Sequence, residues 1–226
     1  RYVVKRNFDV LHIHFNGRQK TALRDGAVIF QIRSVLSKNI RIFDSNFTSN
    51  YAMGDGGALG LKAESLTINN TIFKSNTAVR HGGALYAGGT GTNNTIYYSS
   101  FEYNTAGDHG GAIDWHEGAE DGHLLYAVFE QNTAKRSGGA IYWNGKNGEI
   151  KHSNFTGNKA LGTASAKDAF GNITYGGDGG AVIWIGSEGE VDNCTFDVAN
   201  VNTNDIYEDG IHAVEGATVT VNGCTN

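Results

Sequence analysis

The sequence predicts an all-β fold, a parallel β-helix (solenoid) of about seven coils. Three observations support it: two motifs recur at regular spacing, the segments between them are short and β-prone, and residues that share a motif position are almost all apolar. The composition agrees, because 32 glycines and no proline suit strands that are joined by many tight turns and keep their N–H groups for pairing.

The repeat consists of Phe-x-x-Asn followed by Gly-Gly-Ala and an aliphatic residue. In four copies the first glycine lies nine residues after the phenylalanine, and the next phenylalanine comes 16 or 18 residues after the second glycine. A unit of 26–28 residues that tolerates insertion predicts stacked coils with outward loops. The glycine pairs begin at Gly56, Gly82, Gly110, Gly138 and Gly179.

Each coil is expected to hold three short strands and three turns. GGAIYW (138–143) and GEIKHSNF (148–155) are short and β-prone, and no apolar stripe of helical period is present. Successive coils would lie about 4.8 Å apart, so equivalent residues should form ladders.

Apolar columns predict the interior of the solenoid. Trp115, Trp143 and Trp184 share one column and are assigned to the core. A second column contains Phe47, Phe73, Phe101, Phe129, Phe155 and Phe196. Alternation along the strand after the glycine pair places another column on the opposite face, which we expect to face solvent: Gly60, Tyr86, Asp114, Tyr142 and Ile183.

Both motifs are expected to form corners of the coil, where the chain turns from one strand to the next. One glycine of each pair can adopt a positive φ, and the missing Cβ lets neighbouring coils approach closely. The asparagines of the other motif are expected to adopt the left-handed conformation and to hydrogen-bond along the stack. They are Asn50, Asn76, Asn104, Asn132 and Asn158.

We expect one domain, residues 1–226, with a degenerate N-terminal coil (1–34), repeats over 35–208 and a last coil at 209–226. FDVLHIHFNG (8–17) and DGAVIFQI (25–32) are similar to parts of a coil. The fifth repeat carries 15 extra residues, an inserted loop near 161–178. Since no signal-like segment follows Arg1, we expect a fragment of a longer protein.

The repeats FKSNTAVRHGGALY (73–86), FEYNTAGDHGGAIDW (101–115) and FEQNTAKRSGGAIYW (129–143) resemble those of two groups of surface proteins. These are the polymorphic outer membrane proteins of chlamydiae and the adhesin-like β-helix repeat proteins of methanogenic archaea. The resemblance covers residues 25–226 and is closest to the archaeal group over 138–160. It implies a single-stranded, right-handed parallel β-helix, secretion, display on the cell surface and attachment to other cells.

The coil at 107–123 is the richest in acids and histidines. Polysaccharide lyases and hydrolases on β-helices use outer-wall carboxylates, or Ca²⁺ held by them, so by analogy this coil is a candidate site. Asp114 is the only acid in its column, however, and the other acids fall in a loop, which favours solvated charge. We assign no catalytic residue, no metal ligand and no cofactor. The residues are Asp108, His109, Asp114, His116, Glu117, Glu120, Asp121 and His123.

Two columns before the glycine pairs carry charge. Arg80, Asp108 and Arg136 share one column and predict an alternating surface ladder. The next column contains His81 and His109 and is expected to be exposed. Binding of an anionic or glycan group at this corner is an alternative to simple solvation.

Cys194 and Cys224 share a column of small residues. Adjacent rungs bring the Cα atoms within the range of a disulfide, which would suit an oxidising exterior. Two buried thiols are the open alternative, and thiol titration under denaturing conditions distinguishes the two.

Surface features suggest further sites. Tyr86, Asp114 and Tyr142 of the outward column, with Phe170 and Tyr175 of the inserted loop, form the candidate binding surface. Tyr97, Tyr98 and Tyr103 lie nearby. Six sequons are candidates for N-glycosylation: Asn46, Asn69, Asn93, Asn154, Asn172 and Asn193.

The charge and the apolar runs exclude two classes of function. A net charge of −5 without a basic stripe argues against nucleic-acid binding, and GGAVIWI (179–185) is too short to span a membrane. We predict an extracellular cell-surface adhesin, a rigid, non-catalytic scaffold that attaches to a surface protein or glycan of another cell. The alternatives are a polysaccharide-active lyase or glycoside hydrolase and a purely structural stalk.

Overall fold

A computed structural model describes residues 39–89, 91–162, 177–197, 210–214 and 216–225 in full. It also describes the backbone at 8–11, 14–16, 21–22, 29–30, 37–38, 166–167, 173–174 and 201–202. These residues form short strands and turns, and none of them belongs to a helix of the length and apolarity that a membrane crossing requires.

Four parallel sheets, named A to D here, run along the solenoid, and each coil contributes one strand to each sheet. Sheet A consists of Phe8–Leu11, Ile40–Phe43, Thr67–Asn69, Thr95–Tyr97, His123–Leu125, Glu149–Lys151, Gly189–Asp192 and Val219–Asn222. Sheet B consists of His14–Asn16, Asn46–Thr48, Ile72–Lys74, Ser100–Glu102, Val128–Glu130, Asn154–Thr156 and Thr195–Phe196. Sheet C consists of Thr21–Ala22, Tyr51–Ala52, Thr77–Ala78, Thr105–Ala106, Thr133–Ala134, Lys159–Ala160 and Val201–Asn202. Sheet D consists of Ile29–Phe30, Leu59–Leu61, Leu85–Ala87, Ile113–Trp115, Ile141–Trp143, Val182–Trp184 and Ile211–Ala213.

The predicted parallel stack is confirmed. Among the described residues three sheets have seven strands and the fourth has eight, which corresponds to about six complete turns. Two short pairs lie outside the four sheets. Ser37–Lys38 pairs with Ala63–Glu64, and Ala166–Lys167 pairs antiparallel with Ile173–Thr174 inside the predicted insertion.

The spacing of the repeat predicts three strands per coil, whereas the structure has four. The unpredicted sheet C is made of two-residue strands such as Thr105–Ala106, which directly follows the motif asparagine. A strand this short carries no alternation that a sequence can reveal. It exists because Thr77–Ala78 and Thr133–Ala134 lie beside it in the neighbouring coils.

Two files of aromatic rings fill the interior, as predicted. The phenylalanines from Phe47 to Phe196 stack with ring centroids 4.7–5.0 Å apart and are fully buried. Trp115, Trp143 and Trp184 stack at 4.6 and 4.8 Å. Since burial of one large apolar side chain contributes about 1.5–3 kcal/mol, these files hold the coils together.

The glycine corner is confirmed. Gly110 has a φ of 65°, where a side chain would be strained. A Cβ on the next residue, Gly111, would overlap the carbonyl oxygen of Gly139 in the following coil. The first glycine is therefore required by backbone conformation and the second by the close approach of two coils.

The asparagine corner differs from the prediction in one respect. The left-handed residue is the one before the asparagine, for example Tyr103 with a φ of 54°. Asn104 itself is buried; its amide donates to the carbonyl oxygen of Phe73 and to Asn132 Oδ1, both at 2.9 Å. Its own Oδ1 accepts from the backbone and side chain of Asn76. The predicted hydrogen bonding along the stack is thus confirmed, with the asparagine inside the turn.

Candidate functional site

A cluster of aspartate, histidine and tyrosine side chains lies on the outer face of sheet D. In strand Ile113–Trp115 the two terminal side chains point inward, so Asp114 lies on the outer side, in register with Tyr86 and Tyr142 of the neighbouring coils. We call this group the Asp-His-Tyr cluster. Its members are Asp114, His81, His109, His116, Tyr86 and Tyr142.

Asp114 is the centre of the cluster and is completely buried. Its Oδ1 lies 3.3 Å from His116 Nδ1, and its Oδ2 lies 3.3 Å from His81 Nδ1. Only the first contact is aligned as a hydrogen bond, so among the described residues Oδ2 has no hydrogen-bond partner. Because a buried carboxylate is costly without a positive partner, the two imidazoles are the groups that can balance its charge.

The prediction that this outer column faces solvent is wrong for three of its five positions. Asp114, Ile183 and Gly60 are buried, and Tyr86 and Tyr142 are half-buried. The physical reason for Asp114 is that histidine rings from the adjacent corner and from the end of its own strand lie over the sheet.

The column that directly precedes the glycine pairs, and that contains His81 and His109, is also less exposed than predicted. His81 and His109 are half-buried, and Asp55, Ser137 and Asp178 are buried. This column therefore forms one border of the cluster.

Ring contacts join the cluster across coils. The rings of His81 and His109 stack with centroids 5.6 Å apart, and His109 lies 4.5 Å from the ring of Tyr142. On the other side the ring of His116 lies 5.3 Å from that of Tyr86. Each imidazole is thereby held by an aromatic neighbour.

The two flanking histidines titrate in opposite directions. The hydrogen bond to Asp114 raises the pKa of His116 above its usual value. Burial lowers the pKa of His109 to about 4, although Asp108 and Asp114 oppose this shift. At neutral pH His109 is consequently uncharged, while His116 holds a proton more readily than a free histidine does.

Ion pairs border the cluster. Arg136 Nη1 lies 3.2 Å from Asp108 Oδ1, which confirms one step of the predicted charged ladder. Arg80 pairs with Asp55 in the preceding coil, a partner that the column assignment did not predict. His109 Nε2 lies 3.3 Å from Asp108, so this acid connects the ladder to the cluster.

The remaining acids of the 107–123 coil do not join the cluster. Glu117 and Glu120 are exposed, and Asp121 accepts a hydrogen bond from Asn147 at 3.2 Å. His123 lies on sheet A, 3.0 Å from Glu149. Within the described part of the chain, no three histidine, cysteine or acidic side chains are placed to hold a metal ion.

The cluster has the geometry of an acid–base site. An imidazole whose Nδ1 is bonded to a buried carboxylate keeps its Nε2 in a fixed orientation, where it can donate or accept a proton near neutral pH. His116 is in this position, and the adjacent Tyr86 ring can contact an apolar part of a ligand. The members come from three successive coils, which is why spacing within one motif does not reveal them.

A second surface lies at the corner between sheets A and B. Tyr98, Tyr126 and His152 stack there at centroid distances of 5.0 and 4.8 Å, and all three side chains are exposed. We call them the corner file. Tyr126 and His152 are not among the residues that sequence reasoning selected, although they occupy the same motif position as Tyr98.

The two cysteines lie on adjacent rungs, as their column predicts. The backbone N–H of Cys194 points to the Cys224 sulfur at 3.4 Å, and the structure holds both residues as thiols. Burial raises the pKa of Cys194 to about 12, so this thiol resists deprotonation. The disulfide stays a prediction for the oxidised protein.

The glycosylation candidates differ in exposure. Asn93, Asn154 and Asn193 are exposed, whereas Asn46 and Asn69 are half-buried. Modification of any of them stays a prediction. Asn172, with Phe170 and Tyr175 of the candidate binding surface, lies outside the described residues.

The repeat itself matches a known family in two places. Residues 70–88 and 127–142 match the Chlamydia polymorphic membrane protein repeat. Each match runs from sheet B through sheet C into sheet D of one coil, so it covers the part of a coil that holds both motifs. No curated protein and no solved structure shows significant similarity to the chain.

Proposed function

We propose that this chain is an extracellular adhesin module, a rigid β-solenoid that presents its outer faces to a protein or glycan on another cell. The observation that carries this proposal is that both matched membrane-protein repeats lie in one continuous stack, where each covers the part of a coil from sheet B to sheet D. The interior files supply the stability of such a stack, so the outward side chains are available for contacts.

The test is binding of the purified chain to a panel of cells with different surface glycans and to an oligosaccharide array. We expect saturable binding to at least one cell type, and loss of binding after heat unfolding. Absence of binding to every cell and every glycan would contradict the proposal and favour a structural stalk.

A second candidate function, cleavage of a polysaccharide, is favoured by the buried carboxylate between two imidazoles. Asp114 orients His116 as a proton donor or acceptor, a role that both hydrolysis and β-elimination of glycans require. Incubation with neutral and uronic-acid polysaccharides, followed by analysis of the products, tests it. Cleavage that disappears in Asp114→Asn and persists in Glu117→Gln, an exposed neighbour, would support catalysis; no product from any substrate would exclude it.

A further inference from the structure

The corner file stands at a backbone position that bulky residues rarely occupy. Tyr98, Tyr126 and His152 have φ values of 49°, 53° and 52°. Asparagine, aspartate and histidine are enriched in this left-handed region, whereas a tyrosine there is an outlier. Elsewhere along the same corner the chain does use them: Asp44, Asn70 and Asn193.

Folding does not account for the tyrosines. Tyr98 is 59% exposed and Tyr126 is 47% exposed, so these residues contribute little to the core, and asparagine at this position is compatible with the same turn. Strained residues that the fold does not require often mark functional surfaces. Tyr103 shares this strain, so the stacking of rings across three coils is what distinguishes the corner file.

The shape of the file suits a linear ligand. The rings follow the solenoid axis in single file at one ring per coil, with Tyr97 packed edge-on against Tyr98 at 5.7 Å. A stable protein interface needs a broad patch of about 800 Å² per partner, whereas successive units of an extended chain can each contact one rung. Tyrosine offers such a chain both an apolar ring and a hydroxyl group.

The charge nearby selects against acidic ligands. Uncharged Asn70 and Asn193 lie next to the rings, and the carboxylates of Asp44 and Asp192 lie near them. The cation beside His152, Lys151, is paired with Glu190 at 2.7 Å and with Glu149 at 3.4 Å, so carboxylates outnumber it here. The chain as a whole carries a net charge of −5. A polyanion is repelled from such a surface, while a neutral, hydroxyl-rich chain can bond to amide and phenol groups.

We infer that the corner file of Tyr98, Tyr126 and His152 is a binding site for a neutral glycan chain. This inference rests on the proposed adhesin function and names the class of its ligand.

The test uses an array of neutral hexose oligosaccharides that also carries sulfated and uronic-acid oligosaccharides. We expect the chain to bind neutral glycans, and Tyr98→Asn/Tyr126→Asn to weaken this binding about tenfold or more, the loss expected when the hydroxyl and ring-edge contacts of two tyrosines are removed. Asparagine is chosen because Asn70 and Asn193 occupy the same turn, so the double variant should fold, as circular dichroism can verify.

Tyr103→Asn is the matched control. Tyr103 is also left-handed and 48% exposed, but it lies at the next corner, where its ring contacts Lys74 instead of another ring. This variant should bind as the wild type does. Equal binding by the double variant and the wild type would overturn the inference and leave the adhesin proposal intact.

The remaining outcomes also test the inference and the adhesin proposal. Preference for acidic glycans, or binding to cells without binding to any glycan, would exclude the corner file as a neutral-glycan site while supporting adhesion through another ligand. Absence of both kinds of binding would exclude the two proposals together.

Discussion

Two files of stacked aromatic rings pass through the same coils, three residues apart in sequence. Phe101 and Phe129 stack at 4.9 Å inside sheet B, and Tyr98 and Tyr126 stack at 5.0 Å on the adjacent corner. The phenylalanines are fully buried on extended strands, whereas the tyrosines are exposed and left-handed. The coil repeat spaces both files in the same way; the direction in which each faces separates a stabilising file from a surface available for binding.

The largest expected effect is on the inner file. Phe101→Ala should lower the free energy of unfolding by about 3–5 kcal/mol, because it leaves a cavity between two stacked rings. Chemical denaturation measures the change. A loss below about 1 kcal/mol would show that neighbouring coils collapse into the space and that the file is not rigid.

The buried asparagine file should be nearly as sensitive. Asn104→Ala removes the acceptor of Asn76 and the donor to the Phe73 carbonyl oxygen, and we expect a loss of about 2–3 kcal/mol since buried polar groups are left unpaired. Asn154→Ala, an exposed position on sheet B, is the control and should change stability by less than about 0.5 kcal/mol. Equal effects of both variants would disprove a structural role of the buried file.

The Asp-His-Tyr cluster extends the comparison to an outer surface that is buried. The pKa of His109 is lowered to about 4 in the folded state, so the unfolded chain binds this proton more readily. Its stabilising contribution is present above pH 6.5 and is lost as the pH falls through 4, by an amount on the order of 3 kcal/mol. Urea unfolding across this range should show the loss, and His109→Gln should reduce it.

His116 should show the opposite dependence. Its pKa is raised by the hydrogen bond to Asp114, so its contribution is complete below pH 6.5 and disappears as the pH rises through the folded-state pKa. NMR titration of the histidine ring should give a pKa above the usual value, which returns towards normal in Asp114→Asn. An unshifted wild-type value would show that the carboxylate does not hold the imidazole.

The smallest effect on stability is expected at the corner file. Tyr126→Asn loses its ring stacks on Tyr98 and His152 but relieves the left-handed strain, so the changes offset each other to within about 1 kcal/mol. Thermal unfolding of Tyr126→Asn and of Phe101→Ala under the same conditions compares the two losses of stability directly. A loss as large as that of the phenylalanine variant would mean that the outer file belongs to the core.

Prediction from the sequence succeeds where a residue faces inward and fails where it faces outward. The phenylalanine and tryptophan columns are predictable because every interior position has one environment, which selects one kind of residue in each coil. Asp114 is not, since its burial depends on the rings of His81 and His116, and neither ring shares its column. Sheet C is missed for a related reason: two residues per coil are too few to form a pattern.

The repeat pattern is sufficient to predict the stacking of the coils, the composition of the interior files and the glycine corners, because a periodic motif must place equal residues above one another. The tertiary structure alone decided which outward residues meet: the burial of Asp114, the pairing of Arg80 with Asp55 and the stacking of Tyr126 on its neighbours. These contacts join side chains from different coils, and they depend on the direction in which each turn points its side chains. The repeat motif does not specify that direction.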